Sequence, residues 1–402
     1  MQFPDVKLRK RDEIKKFSKI VLFGAGSYLD EVLESFKEYN IVAIFDNKTE
    51  RGSVEFKKNI KIMNPKDGID QYMDSQTAVV MSVCSYQYEI AVDLVKNYHI
   101  KEEQIFSMCA DYQEERMYNS ELIFEHLEEL RQVREMLADE DSKEYLDNVI
   151  RFKLTHNPLY LKPNSRIVGK YIYKMSDNAF IRPREEDYII DGGAFVGDSV
   201  EFFMKQTNGR CNIFCFEPFA GNFEKLKELV VTKKLGKKVK IYNAALGNKS
   251  QSVSISANQS VSARANVNEE REKKNIILQQ RLDDLSTEIE RIDFVKLDIE
   301  GAERFALQGA ENMLRKYKPQ MMVSAYHKCD DLWEIPFVLN KIHPNRKIYL
   351  GHHSLIKPLN NKEVGIMADI LGINGITGTF TERQKISGPY RRPPLMRTCM
   401  AG

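Results

Sequence analysis

The chain has 402 residues, 42% of them apolar, which is enough for two domains with cores of their own. Its 60 basic and 58 acidic residues give a formal charge of +2, so the balance does not indicate a nucleic-acid-binding protein. No apolar run approaches the roughly 20 residues that span a bilayer, and charged sequence stands where a signal peptide would have its apolar core. Six cysteines without paired metal spacing fit a reduced, cytoplasmic protein, and a homo-oligomer is compatible with this composition.

Residues 1–109 have the pattern of a small Rossmann-like α/β domain. An apolar run at 19–23 leads into Gly24-Ala-Gly26, a helical stripe begins at Leu29, and Asp46 ends the next strand. Leu29 replaces the third glycine of the dinucleotide-binding turn and would crowd the packing of helix on strand. Two interpretations stay open: a nucleotide site, as in a nucleotide-sugar oxidoreductase, or a scaffold for packing and partner contacts. We favour the scaffold.

The sequence pattern of residues 110–165 predicts a helical connector. Apolar residues recur there at helical spacing among many charged ones: Ile123, Leu127, Leu130, Val133 and Leu137. The simpler interpretation is a connector that packs on one or both flanking domains. The alternative is a substrate lid or a dimer surface.

The stretch from Asp191 to Ser199, Asp-Gly-Gly-Ala-Phe-Val-Gly-Asp-Ser, predicts a glycine-rich turn between a strand and a helix. Glycines let the backbone approach a ligand closely, and free amides at a helix start favour a carboxylate or phosphate. The candidate binding residues of the turn are Asp191, Gly193, Ala194, Phe195, Gly197 and Asp198. A glycine after a strand is as often part of a tight turn without a ligand. This pattern alone is therefore compatible with a ligand-binding turn and with a purely structural one.

Four more apolar runs follow the turn, separated by amphipathic helical stretches, and each ends in polar or acidic sequence. Glu217 and Pro218 follow the first of them, Asp298 follows the third, and Tyr326-His327 follows the fourth. Alternation of this kind predicts a parallel sheet with helices on both faces. A ligand would bind where the strands end.

These motifs resemble the FkbM family of S-adenosylmethionine-dependent methyltransferases. The matching pieces, which occur in the family's order across 171–353, are 191–198, 216–218, 245–247, 282–285, 296–303 and the strand end 326–327. The resemblance implies a class I (Rossmann-like) methyltransferase fold at 166–357. It also implies methylation of hydroxyl groups on sugars or on sugar-like and polyketide rings, with S-adenosylmethionine as cofactor.

The same resemblance implies roles for single residues. The backbone of 193–197 would hold the methionine part of the cofactor, Asp191 would meet its ammonium group, and Glu217 would bind the ribose hydroxyls. Residues 243–246 would adjoin the adenine, and Asp298 would lie where the sulfonium meets the acceptor. The other predicted cofactor-binding residues are Pro218, Ala245 and Leu246.

Methyl transfer to oxygen needs an aligned nucleophile and a group that takes the proton of the hydroxyl. His327 is the best candidate for that base, although a histidine that only packs or donates hydrogen bonds is an open alternative. Asp298 and Glu300 are the other candidate catalytic residues, and for Glu303 we favour a structural role at a helix start. No metal ligand is assigned, but a divalent metal on Asp298 and Glu300 is left open.

The polar segment 250–274 is expected to be a solvated excursion that is partly a strand pair. Residues 358–402 are expected to form a partly disordered extension, unless 364–371 supplies the last strand of the sheet.

The sequence therefore predicts an O-methyltransferase for a sugar hydroxyl in surface-polysaccharide or glycolipid biosynthesis, acting on a small-molecule or glycan acceptor. One alternative is a non-catalytic sugar- or nucleotide-binding protein on a methyltransferase fold. The other is an oxidoreductase that uses residues 24–46.

Overall fold

The computed structural model describes residues 11–26, 29–83, 86–107, 119–162, 167–169, 171–176, 179–255, 275–344, 346–352 and 369–373. Within this described part, no helix has the length and apolar character of a membrane-spanning segment.

The amino-terminal part is a six-stranded sheet of order β3-β4-β2-β1-β5-β6. Its strands are β1 (Lys19–Phe23), β2 (Ile41–Phe45), β3 (Val54–Lys57), β4 (Ile60–Met63), β5 (Thr77–Met81) and β6 (Ile105–Phe106). Its helices are α1 (Leu29–Ser35), α2 (Pro65–Tyr72) and α3 (Gln87–Tyr98). β1 pairs in parallel with β2 and β5, as a Rossmann-like pattern predicts, whereas the hairpin of β3 and β4 was not predicted.

Three helices follow: α4 (Ser120–Glu125), α5 (Leu127–Met136) and α6 (Glu140–Thr155). The side chain of Asp139 accepts the Ser142 N–H and so caps the start of α6. The helices contact both flanking sheets. Ala138 N–H donates to Ile348 O at 2.8 Å on the carboxy-terminal side, and Ser107 N–H of the amino-terminal part donates to His156 O at 2.8 Å.

The carboxy-terminal part is built on a seven-stranded sheet of order β12-β11-β10-β16-β17-β19-β18. Its strands are β10 (Tyr188–Gly192), β11 (Asn212–Phe216), β12 (Val239–Tyr242), β16 (Phe294–Leu297), β17 (Gln320–Ser324), β18 (Ile348–His352) and β19 (Asp369–Ile373). The five strands from β12 to β17 pair in parallel, and the order reverses between β10 and β16. This reversal is where open α/β sheets bind ligands.

Helices cover both faces of this sheet, since successive strand residues point to opposite sides. Ile189 packs with α7 (Asp198–Gln206) and α8 (Ala220–Thr232). Ile190 belongs to the other core, which includes residues of the helices α9 (Glu303–Gly309), α10 (Glu311–Tyr317) and α11 (Asp331–Ile342). The buried Cys211 and Cys215 are free thiols within the first of these cores.

Two small sheets complete the fold. One is formed by β7 (Ile167–Gly169), β8 (Ile172–Ser176) and β9 (Ala179–Ile181), and the other by β13 (Ala245–Leu246), β14 (Gln251–Ile255) and β15 (Asn275–Gln280). β14 and β15 pair antiparallel, so the start of the polar segment 250–274 forms a strand pair with the residues that follow the segment. Residues 256–274 lie outside the described residues.

β19 lies between β17 and β18 and is antiparallel to both. Residues 369–373 of the carboxy-terminal extension therefore form a strand inside the sheet. This strand overlaps the range 364–371, which the sequence analysis named as a possible last strand. The rest of the extension lies outside the described residues.

A buried carboxyl before β10 makes the stability of the fold depend on pH. Burial raises the pKa of Asp187 to about 6, although its oxygen accepts the Arg184 N–H at 2.7 Å. A carboxyl whose pKa is raised by folding stabilises the protein below its unfolded pKa, and this stability is lost as the pH rises through about 6. We expect Asp187→Asn to gain stability relative to the wild type between pH 4 and pH 7, by roughly 1 to 3 kcal/mol.

Urea denaturation at several pH values measures this difference. Glu228→Gln, at an exposed position of α8, is the matched control and should show a pH-independent difference. A pH-independent difference for Asp187→Asn as well would contradict the assignment.

Candidate active site

The glycine-rich turn joins β10 to α7 and depends on two left-handed glycines. Gly193 has a φ of +77°, and Gly197, the N-cap of α7, has a φ of +96°. A Cβ on Gly193 would clash with the carbonyl oxygen of Asp298, so the turn packs directly on the end of β16. Ala194 is buried, Asp198 is half-buried, and Phe195 is exposed between them with a φ of +49°. The turn therefore presents backbone and one aromatic side chain at the end of the sheet.

Glu217 reaches this turn from the end of β11. One carboxylate oxygen accepts the Phe195 N–H at 3.0 Å, and the other accepts the Phe219 N–H at 3.0 Å. Its side chain is buried, and burial raises its pKa despite these N–H donors. The structure thus brings the two predicted cofactor-binding motifs into direct contact.

Asp191 lies beneath the turn in a buried ion pair that was not predicted. Lys296 Nζ lies 3.1 Å from one carboxylate oxygen, and Ser199 Oγ donates to the other at 2.5 Å. Lys296 also donates to the carbonyls of Gly192 and Gly193, at 3.0 and 2.6 Å. Burial acts to lower the pKa of Lys296, but the nearby aspartates outweigh burial and raise it. Both oxygens of Asp191 therefore face protein groups, which favours a positioning role over the predicted contact with a ligand ammonium.

The predicted adenine neighbours lie beside the same turn. Asn243 donates from its side chain to the carbonyls of Glu217 and Pro218, at 3.0 and 3.2 Å. Leu246 is buried in β13, and its side chain approaches Gly192, while Ala245 is half-buried next to it. These residues line the side of the turn that faces β11 and β12.

Asp298 follows β16 on the other side of the turn. One of its oxygens accepts hydrogen bonds from Ser324 Oγ at 2.9 Å and Tyr326 Oη at 3.0 Å. The same oxygen lies 3.5 Å from His327 Nε2. Burial acts to raise the pKa of Asp298, but Lys296, His327 and the two hydroxyls lower it overall. Its side chain is 36% exposed and that of Glu300 is 33% exposed, so a ligand can reach both carboxylates.

His327 is only 5% exposed and lies among three carboxylates. Its Nδ1 lies 3.0 Å from Glu303 Oε1, and its Nε2 lies 4.0 Å from Glu300 Oε2. Burial acts to lower the pKa of His327, but Glu303, Asp298 and Glu300 raise it to about 9. A protonated imidazole cannot accept a proton, so this environment disfavours the predicted role of His327 as a free general base.

Glu300 and Gly301 form a tight bend between β16 and α9. Glu300 has a φ of +58° and Gly301 a φ of +93°. A left-handed glutamate is strained, and such strain occurs most often at functional sites. Glu303 follows at the first position of α9, where its Oε1 accepts the Ile299 N–H at 2.8 Å. This contact agrees with the structural role favoured for Glu303.

The amino-terminal sheet contains a second turn of the same kind. Gly24 has a φ of +116° after β1, and Asp46 accepts the N–H groups of Ala25 and Lys48, each at 2.7 Å. Leu29 is buried in the core beneath the turn. Residues 27 and 28 lie outside the described residues. The buried leucine shows that the helix packs without the third glycine of a dinucleotide site.

Comparison with known proteins agrees with this geometry. Residues 191–347 match the family model of the methyltransferase FkbM domain. The crystal structure of Methyltransferase FkbM from Methylobacillus flagellatus KT is similar with a TM-score of 0.63 and 18% identity, over 91% of this chain and 94% of that chain. The comparison with curated proteins found no significant match.

Two further solved structures are more distant. A putative rRNA-methylase from Clostridium thermocellum has a TM-score of 0.29 and 9% identity, over 48% of this chain and 87% of that chain. Aeropyrum pernix fibrillarin, solved with bound S-adenosyl-L-methionine, has a TM-score of 0.30 and 11% identity, over 48% of this chain and 67% of that chain. TM-scores this low support no conclusion about the present chain.

The family match and the sheet around the glycine turn confirm the expected class I methyltransferase fold. The match to the FkbM family of methyltransferases thus covers residues 191–347 of this chain, which contain the glycine turn, Glu217, Asp298 and His327.

Proposed function

We propose that this protein transfers the methyl group of S-adenosylmethionine to a hydroxyl oxygen of a sugar. The observation that carries this proposal is the contact of Glu217 with the Phe195 N–H, because it joins a buried acidic group to a backbone turn open to a ligand. An acidic residue after the second strand of such a sheet binds ribose hydroxyls. The sugar acceptor and a place in surface-polysaccharide or glycolipid biosynthesis rest on the family resemblance alone.

In this proposal the backbone of residues 193–197 holds the methionine part of the cofactor. Glu217 binds the ribose hydroxyls, since a carboxylate has about four acceptor positions and three of them serve Phe195, Phe219 and Asn222. Asp191 and Lys296 hold the turn from below, and residues 243–246 adjoin the adenine.

Asp298 is the group we propose to meet the acceptor hydroxyl. It is 36% exposed at the switch point of the sheet, whereas His327 behind it is 5% exposed. Tyr326, Ser324 and His327 orient and stabilise the carboxylate. When bound, S-adenosylmethionine would supply the methyl group and leave as S-adenosylhomocysteine, and Asp298 would accept the proton of the acceptor hydroxyl.

Glu217→Gln should weaken the binding of S-adenosylmethionine at least about tenfold, because a hydrogen bond to a charged acceptor is worth roughly 1.5 to 3 kcal/mol. Isothermal titration measures the change. Glu224→Gln, at an exposed position of α8, is the matched control and should bind like the wild type. Equal affinities for all three proteins would argue against the role of Glu217.

The acceptor class is tested with methyl-labelled S-adenosylmethionine and a panel of nucleotide sugars and oligosaccharides. The expected product carries one added methyl group on a sugar oxygen. Transfer to nitrogen or carbon would overturn the assignment of O-methylation. Cofactor binding without turnover on any acceptor would instead support a non-catalytic binding protein.

A further inference from the structure

Glu303 has an oxygen that the protein does not satisfy. The side chain is fully buried, and its Oε1 accepts the Ile299 N–H and lies 3.0 Å from His327 Nδ1. Its Oε2 is buried without a hydrogen-bond partner among the described residues. A buried carboxylate oxygen without a partner is costly. A bound cation would satisfy it.

The neighbours of Glu303 have the geometry of a cation site. One donor atom from each of Asp298, Glu303 and His327 lies within 4.8 Å of the other two. Atoms that share one ion, at about 2.0 to 2.3 Å from it, lie up to roughly 4.6 Å apart. The three side chains therefore lie close enough to share one ion after an adjustment of their positions. They come from the end of β16, the start of α9 and the strand end after β17.

The surroundings fix these side chains. Ser324 and Tyr326 hold one oxygen of Asp298, and the Ile299 N–H holds Glu303. Such outer partners orient ligands in metal sites.

The charge also suits a cation. Glu300 adds a carboxylate 4.0 Å from His327, and Asp331, whose side chain accepts the Lys328 N–H, adds another buried one. Lys296 is a positive group that faces the cluster, and an ion bound to His327 would take the place of the proton on its ring. The carboxylates of Asp298, Glu300 and Glu303 therefore outnumber the ammonium group of Lys296, while burial raises the pKa of Asp331 to about 7.

We propose that Asp298, Glu303 and His327 bind one divalent metal ion. Two carboxylates and one imidazole favour a first-row ion such as Mn²⁺, since all-oxygen sites are typical of Mg²⁺ and Ca²⁺. The proposal differs from a metal on Asp298 and Glu300 alone, because Glu303 and His327 supply two of the three ligand atoms.

The chemical role of the ion rests on the proposed function. Asp298 adjoins the glycine turn, so an ion here would bind the acceptor hydroxyl next to the methyl donor and lower the pKa of that hydroxyl. Metal binding itself does not require the cofactor and can be measured without it.

The test uses the full chain after dialysis against EDTA. Mn²⁺ is titrated in the absence of S-adenosylmethionine, and the loss of the free-ion signal is followed by electron paramagnetic resonance. We expect one Mn²⁺ per chain, and an affinity at least about tenfold lower in Glu303→Gln. Glu228→Gln, which keeps the site intact, should bind like the wild type.

Circular dichroism shows whether Glu303→Gln is folded. If it is not, Asp298→Asn serves as the second variant with the same expected loss. Absence of Mn²⁺ binding at millimolar concentration would overturn the proposal, as would unchanged binding in a folded variant. Neither outcome bears on S-adenosylmethionine binding, so a failure of this site is distinguishable from a failure of the proposed function.

Discussion

Replacement of Gly193 by alanine is expected to cost at least about 3 kcal/mol of stability and to abolish binding of S-adenosylmethionine. The φ of +77° alone costs an L residue roughly 1 to 2 kcal/mol. The larger part comes from the new Cβ, which would clash with the Asp298 carbonyl oxygen. This oxygen belongs to the backbone and cannot rotate away, so the end of β16 must move. Urea denaturation and cofactor titration measure the two effects.

Gly209→Ala is the matched control for this substitution. Gly209 has a φ of +70°, but a Cβ there would meet nothing within 4 Å. The free energy of unfolding of this variant should therefore fall only by the cost of the left-handed backbone conformation, about 1 to 2 kcal/mol. Its affinity for the cofactor should be unchanged. Equal losses of stability in the two variants would show that the close contact between the turn and β16 does not contribute to stability.

Lys296→Met is expected to destabilise the protein by roughly 3 to 5 kcal/mol, because it leaves Asp191 buried and unpaired. Asp191 is fully buried, and Lys296 also donates to the carbonyls of Gly192 and Gly193. Because these two hydrogen bonds hold the glycine turn, we expect their loss to disorder the turn and to weaken cofactor binding. Denaturation curves and titration of the same samples measure both effects.

The double variant Asp191→Asn with Lys296→Met separates the charge from the packing. Removal of both charges should restore a large part of the stability, since a buried pair is often replaceable by neutral groups. A double variant whose loss equals the sum of the two single losses would contradict a coupled ion pair.

Much of the sheet could be predicted from the sequence, because its central strands are short apolar runs between clear helical stripes. β11, β12, β16 and β17 fall within the four apolar runs that follow the glycine turn, and β10 extends the strand predicted before the turn through Asp191 and Gly192. The strand ends also carry the polar residues that meet at the switch point, as parallel pairing requires. The contact of Glu217 with the glycine turn follows from that topology.

The environments of individual charged side chains could not be predicted from the sequence. Lys296 stands within an otherwise apolar strand, and this misfit was a signal for a buried partner that sequence reasoning did not use. His327 stands at the predicted strand end, but its pKa depends on Glu303 and Glu300, whose side chains meet it only in the folded chain. The position of β19 between β17 and β18 depends on long-range pairing of a segment with little apolar periodicity.

The roles of the individual site residues and the domain boundaries 109/110, 165/166 and 357/358 stay predictions. The predicted roles of the site residues all require that the turn after β10 binds the methyl donor. The amino-terminal turn at Gly24 is the competing place for a nucleotide.

Calorimetric titration of the purified wild-type chain with S-adenosylmethionine, and separately with NAD, tests this requirement most directly. We predict saturable binding of one S-adenosylmethionine per chain and no binding of NAD. Binding of NAD without binding of S-adenosylmethionine would contradict the account and would place the function at the amino-terminal sheet.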